Sequence, residues 1–268
     1  MKITLLILVL IVPVLVVPGC RYIINRMAFH PDKINTISER ELPDSVDEIF
    51  IVTKDSVRIQ AYYAPDSASE NLLIYFHGNA GNLSHRLNDL LKIREAGINV
   101  LGVEYRGYGK SRGSPSERGI YNDGEAGLDY AVDALGFDIR DIYIMGRSIG
   151  TCVALHTSGN REISGLILVS PLSSGREQAR KMGLGPVSFL AGDSFNNTSM
   201  AEGVSSPVLL IHGAADRVVP HSMGLKVYKS IRGQKRMVTI PGAGHNDIST
   251  DYADEYWEPV YQFINRGL

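Results

Sequence analysis

From about residue 48 to the C-terminus, short apolar runs alternate with amphipathic stretches, and this rhythm constrains the fold more than any other feature of the chain. The run Leu72-Leu73-Ile74-Tyr75-Phe76 is apolar throughout, the pattern of a strand covered on both faces. Further strands are predicted at 99–105, 141–145, 165–170, 208–211 and 236–240. Helices are predicted between them at about 84–96, 118–135, 148–158, 221–231 and 250–265, with Gly97 and Gly136 as C-terminal stops of the first two. Ahead of this series, 48–53 and 57–63 read as two strands around a turn at Lys54-Asp55. Strand–helix alternation implies an α/β fold, a mostly parallel sheet flanked by helices on both faces. Ligands of such sheets bind beyond the carboxyl ends of the strands. Functional residues should therefore lie just after strands.

The rhythm breaks at residues 172–206, which are too few for a second domain and are expected to form a small cap insertion. The expected organisation is a leading segment at 1–20, a linker at 21–46 and one domain at 47–268. A chain of 268 residues buries a core without needing disulfides. The net charge of −2 carries no electrostatic footprint for nucleic acid. With two cysteines, Cys20 and Cys152, there is no disulfide framework, and no metal-binding motif is visible. No cofactor is expected, and Cys152 reads as a small core residue in an apolar helix.

Residues 3–18 are apolar except for Thr4 and end in Val17-Pro18-Gly19-Cys20, a targeting or anchoring segment. Two readings compete. Gly19-Cys20 resembles a bacterial lipoprotein cleavage site, with Cys20 as the lipidated residue, although Pro18 departs from the small residue that pattern expects. An uncleaved span is the alternative, but the run falls short of the roughly 20 residues a span needs. It also contains Pro13, and a mid-helix proline costs about 3 kcal/mol. Either reading places the protein on a membrane, in a bacterial cell envelope. A simple secreted product is the third option.

Gly146-Arg147-Ser148-Ile149-Gly150 matches Gly-x-Ser-x-Gly. The pattern alone is weak, since chance supplies roughly 0.2 matches in a chain of this composition. Its position strengthens it, between the predicted strand at 141–145 and a predicted helix. There a strained turn lifts the serine hydroxyl clear of the sheet. A serine needs a base, and the base needs an acid to orient it. His245, in the Gly-rich turn after the last strand, is the candidate base. His221, at a predicted helix start, is less suited. Asp216 follows the strand at 208–211 and is the candidate acid, whereas Asp193, inside the cap, has no strand before it. An oxyanion hole needs the amide after the nucleophile, Ile149, and one from the loop 77–82. Asn79 is the choice there, with Ala80 next. His77 and His212 read as structural histidines.

Residues 77–82, Glu104-Tyr105-Arg106-Gly107-Tyr108-Gly109, the Ser111-x-Gly113-x-Pro115-Ser116-Glu117 stretch, 146–150, 207–220 and 241–247 together resemble the alpha/beta-hydrolase superfamily. The likeness covers about 45–265, and the motifs stand in the family's order. It is greatest to the membrane-tethered branch that includes palmitoyl-protein thioesterases. What the resemblance implies is an alpha/beta-hydrolase fold and a serine hydrolase acting on a carboxylic ester or thioester. Its substrate would be a small molecule or a lipidated acyl compound with an apolar chain. Three rivals remain: a peptidase on the same fold with the same triad, a non-catalytic binding protein on the hydrolase scaffold, and a dehalogenase or epoxide hydrolase. The last needs a carboxylate nucleophile where this chain has Ser148. Oligomeric state is not readable from the sequence.

Overall fold

A computed structural model describes residues 25–34 and 42–268. Ten strands are present among them: β1 (His30–Pro31), β2 (Asp47–Val52), β3 (Arg58–Ala64), β4 (Leu72–Phe76), β5 (Ala80–Gly81), β6 (Asn99–Val103), β7 (Ile142–Arg147), β8 (Gly165–Val169), β9 (Val208–Gly213) and β10 (Lys235–Ile240). Eight of them form one sheet in the order β10-β9-β8-β7-β4-β6-β3-β2. The pairs from β6 through β4, β7, β8 and β9 to β10 are parallel. Only β3 runs against its neighbours β2 and β6. This is the α/β architecture that the alternation of apolar runs predicted.

Every residue of β4, β6, β8 and β9 is buried. Their side chains divide by pleat. Leu72, Ile74 and Phe76 of β4 point into one core, and Leu73 and Tyr75 into the other. The first core is closed by the helices Glu117–Asp133, Gly150–Ser158 and His221–Ser230. The second is closed by Leu87–Arg94 and Ala253–Arg266. Each fully buried Leu or Ile adds about 1.5–3 kcal/mol to this two-sided core. Cys152 lies in the first core with no exposed surface.

Strand order reverses at β4, whose neighbours β6 and β7 both follow it in the chain. The connection from β4 crosses to one side and the connection from β6 to the other. A crevice must therefore open between the carboxyl ends of β4 and β7. Between β8 and β9 the chain forms two short helices, Gly175–Lys181 and Asn197–Ala201, around a 3-10 helix at Gly185–Ala191. The side chain of Ser174 caps the first helix by accepting from Glu177 N at 3.2 Å.

Two local features differ from the sequence reading. β7 continues through Gly146 and Arg147, two residues past the expected end, because both still pair with β8. The segment ahead of the domain holds β1, which pairs in parallel with β5 just after β4. Two residues are too short for any periodic signal, so the pairing was invisible in the sequence. Phe29, beside β1, is part of the first core. Cys20 and the apolar residues 3–18 lie outside the described residues. Among the described residues no helix is long and apolar enough to cross a membrane.

Candidate active site

Ser148 sits between the end of β7 and the helix Gly150–Ser158 with φ of +54°, in the left-handed region that non-glycine residues rarely occupy. The turn is held by Ser148 N donating to Val169 O at 2.8 Å. It is tight enough that only glycine fits on either side. A Cβ on Gly150 would collide with the carbonyl oxygens of Phe76 and His77, and one on Gly146 with that of Gly150. These are backbone atoms that cannot swing away, which gives the Gly-x-Ser-x-Gly spacing its physical cause.

His245 and Asp216 reach the serine from neighbouring loops. The loop after β9 and the loop after β10 lie against each other, with Ala215 N donating to Ala243 O at 2.9 Å. Asp216 Oδ1 accepts from Val218 N at 2.9 Å and Val219 N at 2.8 Å. Its Oδ2 lies 2.7 Å from His245 Nδ1. A carboxylate only accepts, so Nδ1 carries the proton and donates. His245 Nε2 is then the bare nitrogen, 3.1 Å from Ser148 Oγ, positioned to accept the hydroxyl proton. Asp216 is buried, and burial pushes its carboxyl up. The N–H groups of His212, His245 and Val219 outweigh that and hold it well below the usual carboxylate range. His212 Nε2 is 2.9 Å from Val219 O and 3.5 Å from Asp216 Oδ2. The carbonyl thus takes its hydrogen bond and the carboxylate feels the N–H dipole.

The loop after β4 lies on the serine, and a Cβ on Gly78 would stand 3.6 Å from Ser148 Cβ. Asn79, Ser148 and Ile149 line the same cavity. The Asn79 carbonyl accepts from His30 N at 3.0 Å and from Tyr108 Oη at 2.7 Å, which fixes the path of the loop beside the serine. Ile149 stands at the start of the helix Gly150–Ser158, whose aligned dipoles favour negative charge at that end. The loop is anchored from below by a buried pair. His77 Nε2 is 2.7 Å from Glu104 Oε1, both side chains fully buried, and His77 Nδ1 is 2.7 Å from Gly78 O. Glu104 Oε2 also accepts from Leu83 N at 2.6 Å, and Tyr105 Oη donates to His77 O at 2.8 Å.

The other candidates lie elsewhere. Asp193 is exposed on the insertion. His221 starts a helix, with Nε2 2.9 Å from Thr239 Oγ1. Sequence reasoning assigned no role to Arg147 inside the serine motif. Its side chain is buried, and Nη2 donates to the carbonyl of His245 at 2.9 Å. It thereby ties the serine turn to the histidine turn across 98 positions of sequence. Glu104 was visible only as part of a loop motif. In both cases the partner is fixed by tertiary structure, and no local pattern signals it.

The cavity above Ser148 has a volume of about 570 Å³. Its walls are mainly apolar, with Leu172, Met182, Leu184, Val187, Leu190 and Phe195 from the insertion facing Ser148, Ile149 and Asn79. Among the described residues no cluster of His, Cys, Asp and Glu is arranged to hold a metal ion.

Comparison with known proteins agrees with this architecture. A family model described as "Serine aminopeptidase, S33" matches residues 67–196. The "Uncharacterized protein YfhR" of Escherichia coli O157:H7 is 32% identical over 94% of this chain and 93% of its own length. The human "Alpha/beta hydrolase domain-containing protein 17C" is 33% identical over 86% of this chain and 69% of its own length. Among solved structures, the Pyrococcus furiosus esterase Pf2001 superposes with a TM-score of 0.73 at 21% identity, covering 89% of this chain and 97% of that one. The chain belongs to the alpha/beta-hydrolase superfamily.

Proposed function

We propose that the protein is a serine hydrolase that cleaves a carboxylic ester or thioester through an acyl-enzyme on Ser148. The observation that carries the reading is the continuous chain Ser148 Oγ, His245 Nε2, His245 Nδ1, Asp216 Oδ2, opening on a largely apolar cavity. Ser148 Oγ attacks the acyl carbonyl as His245 Nε2 takes its proton. Asp216 holds the imidazole in that tautomer and stabilises the imidazolium. The amides of Ile149 and Asn79 receive the oxyanion. His245 returns the proton to the leaving alcohol or thiol, and water releases the acyl group by the reverse route.

A fluorophosphonate probe should modify Ser148, located by mass spectrometry of the peptide, and the label should be absent in Ser148→Ala. A folded protein that takes no label from this probe or from a small activated ester would sink the reading in favour of a binding protein. The peptidase reading keeps a place because the matched family model is a serine aminopeptidase. An apolar cavity under an insertion of two short helices favours an acyl chain over a peptide. Aminoacyl arylamides cleaved faster than acyl esters would reverse that preference. Membrane attachment through residues 1–20, by lipidation of Cys20 or by a single span, in a bacterial envelope, belongs to the same proposal and rests on the sequence alone.

Arg147 is a positioning residue in this scheme. Arg147→Met should lower kcat by about 10²-fold with KM little changed, the size expected when a general base drifts by about 1 Å. Arg147→Lys should recover part of the loss. Steady-state kinetics beside a melting curve decide it. An unchanged kcat would mean that the His245 turn needs no strut, and a fall in kcat that merely tracks melting would mean a structural role only.

A further inference from the structure

Among the described residues, several of the large exposed apolar side chains gather at one place. Met182, Val187, Leu190 and Val218 are 55%, 47%, 40% and 47% exposed, and all four line the cavity above Ser148. Phe189, 64% exposed, lies beside them in the 3-10 helix Gly185–Ala191. That helix turns Ser188 and Ala191 inward and presents Val187, Phe189 and Leu190 to solvent. A soluble surface gains nothing from such a patch, and patches of this kind mark a contact with a protein or a membrane. Met27 and Ala28 also line the cavity. Pro18, the last residue of the apolar segment 3–18, is nine residues before Met27. Nine extended residues reach about 30 Å at most.

We propose that the rim formed by Met182, Val187, Phe189, Leu190 and Val218 docks on a lipid bilayer, so that the mouth of the cavity opens onto the membrane. The proposal rests on attachment of the leading segment to that bilayer, through residues 3–18 as a span or through a lipid on Cys20. The short tether from there to Met27 then keeps the mouth at the membrane rather than in bulk solvent. The apolar rim settles into the boundary between headgroups and acyl chains, as an interfacial helix does. An acyl chain would pass from lipid into the cavity without crossing water. A protein partner, the other kind of occupant, would leave the short tether from apolar segment to cavity wall without a purpose.

The test uses the full chain bound to phosphatidylcholine vesicles with brominated acyl chains. Phe189→Trp places a reporter on the rim, and Val52→Trp places one on β2, the edge strand at the far side of β3 from the crevice. The parent protein's buried Trp257 is subtracted as common background. The rim tryptophan should shift to shorter emission wavelength and be quenched by the brominated lipid, and the edge tryptophan should do neither. Vesicle binding with no quenching at position 189 would overturn the docking and leave membrane attachment standing. Absence of vesicle binding would overturn both. Phe189→Glu supplies a second readout, because Phe189 is not part of the cavity wall. It should slow turnover of a vesicle-borne long-chain thioester by about tenfold or more. Its turnover of a short soluble ester should equal the parent's. Equal loss on both substrates would count against the docking. A parent inactive on every ester would remove the hydrolase reading, and the quenching result would still decide the docking.

Discussion

Ser148→Ala is expected to reduce ester turnover by about 10⁴–10⁶-fold while the melting temperature stays within about 2 °C of the parent. Alanine keeps the Cβ and the backbone of the turn, including the Ser148 N bond to Val169 O. It removes only the hydroxyl that His245 Nε2 faces at 3.1 Å. A half-buried hydroxyl with one such partner contributes little to stability, so the two effects should separate. Asp216→Asn should cost about 10⁴-fold, because an amide in that place favours the wrong imidazole tautomer. Groups that act as one unit are not additive. Ser148→Ala/His245→Ala should therefore be no slower than Ser148→Ala alone. Initial rates with a chromogenic acyl ester, beside circular-dichroism melts, give every comparison. A Ser148→Ala enzyme with more than a few per cent of parent activity would place the nucleophile elsewhere.

Glu104→Ala should be the most destabilising single change near the site, at about 3–5 kcal/mol. The carboxylate serves three buried partners, His77 Nε2 at 2.7 Å, Leu83 N at 2.6 Å and Tyr105 N at 3.1 Å. Both side chains of the His77–Glu104 pair are without solvent exposure, so water cannot replace it. His77 lies between two acceptors, the Glu104 carboxylate and Gly78 O. Removing Glu104 leaves His77 Nε2 and the Leu83 amide buried without that partner. Urea unfolding should show the loss in the midpoint with the slope preserved. The double variant His77→Leu/Glu104→Leu should cost less than the two single changes summed, since the contact between the two side chains is then lost only once. A sum equal to the parts would mean that the two groups stabilise the fold separately. Activity should fall with either single change, because His77 and Gly78 lead directly into the Asn79 peptide.

The strands of the parallel sheet were legible because continuous apolar runs have few other places to go than a strand covered on both faces. The serine motif was legible because its glycines answer a local steric demand, the close approach of Phe76 O and Gly150 O. His245 and Asp216 were legible by a weaker route, position just after a strand, and the same rule set aside Asp193 and His221. Pairing across long separations was not legible. The Arg147 bond to His245 O joins the end of β7 to the loop after β10, and the two-residue pairing of β1 with β5 carries no period to read. The element ends moved by one to three residues, as at β7, because pairing with a neighbouring strand decides where a strand stops.

By itself the sequence determined the α/β class, the glycine-flanked turn at Ser148 and the residues able to serve it. These follow from local periodicity, from the lack of a Cβ in glycine and from the chemistry of side chains. Only the tertiary structure decided that Ser148, His245 and Asp216 meet at hydrogen-bonding distance and that Glu104 and Arg147 hold the loops around them. It also decided that the exposed Met182, Val187 and Leu190 of the insertion line one cavity. Those facts depend on strand order, and strand order is set by how the helices cover two faces of one sheet, a property of the whole chain that no window of sequence contains.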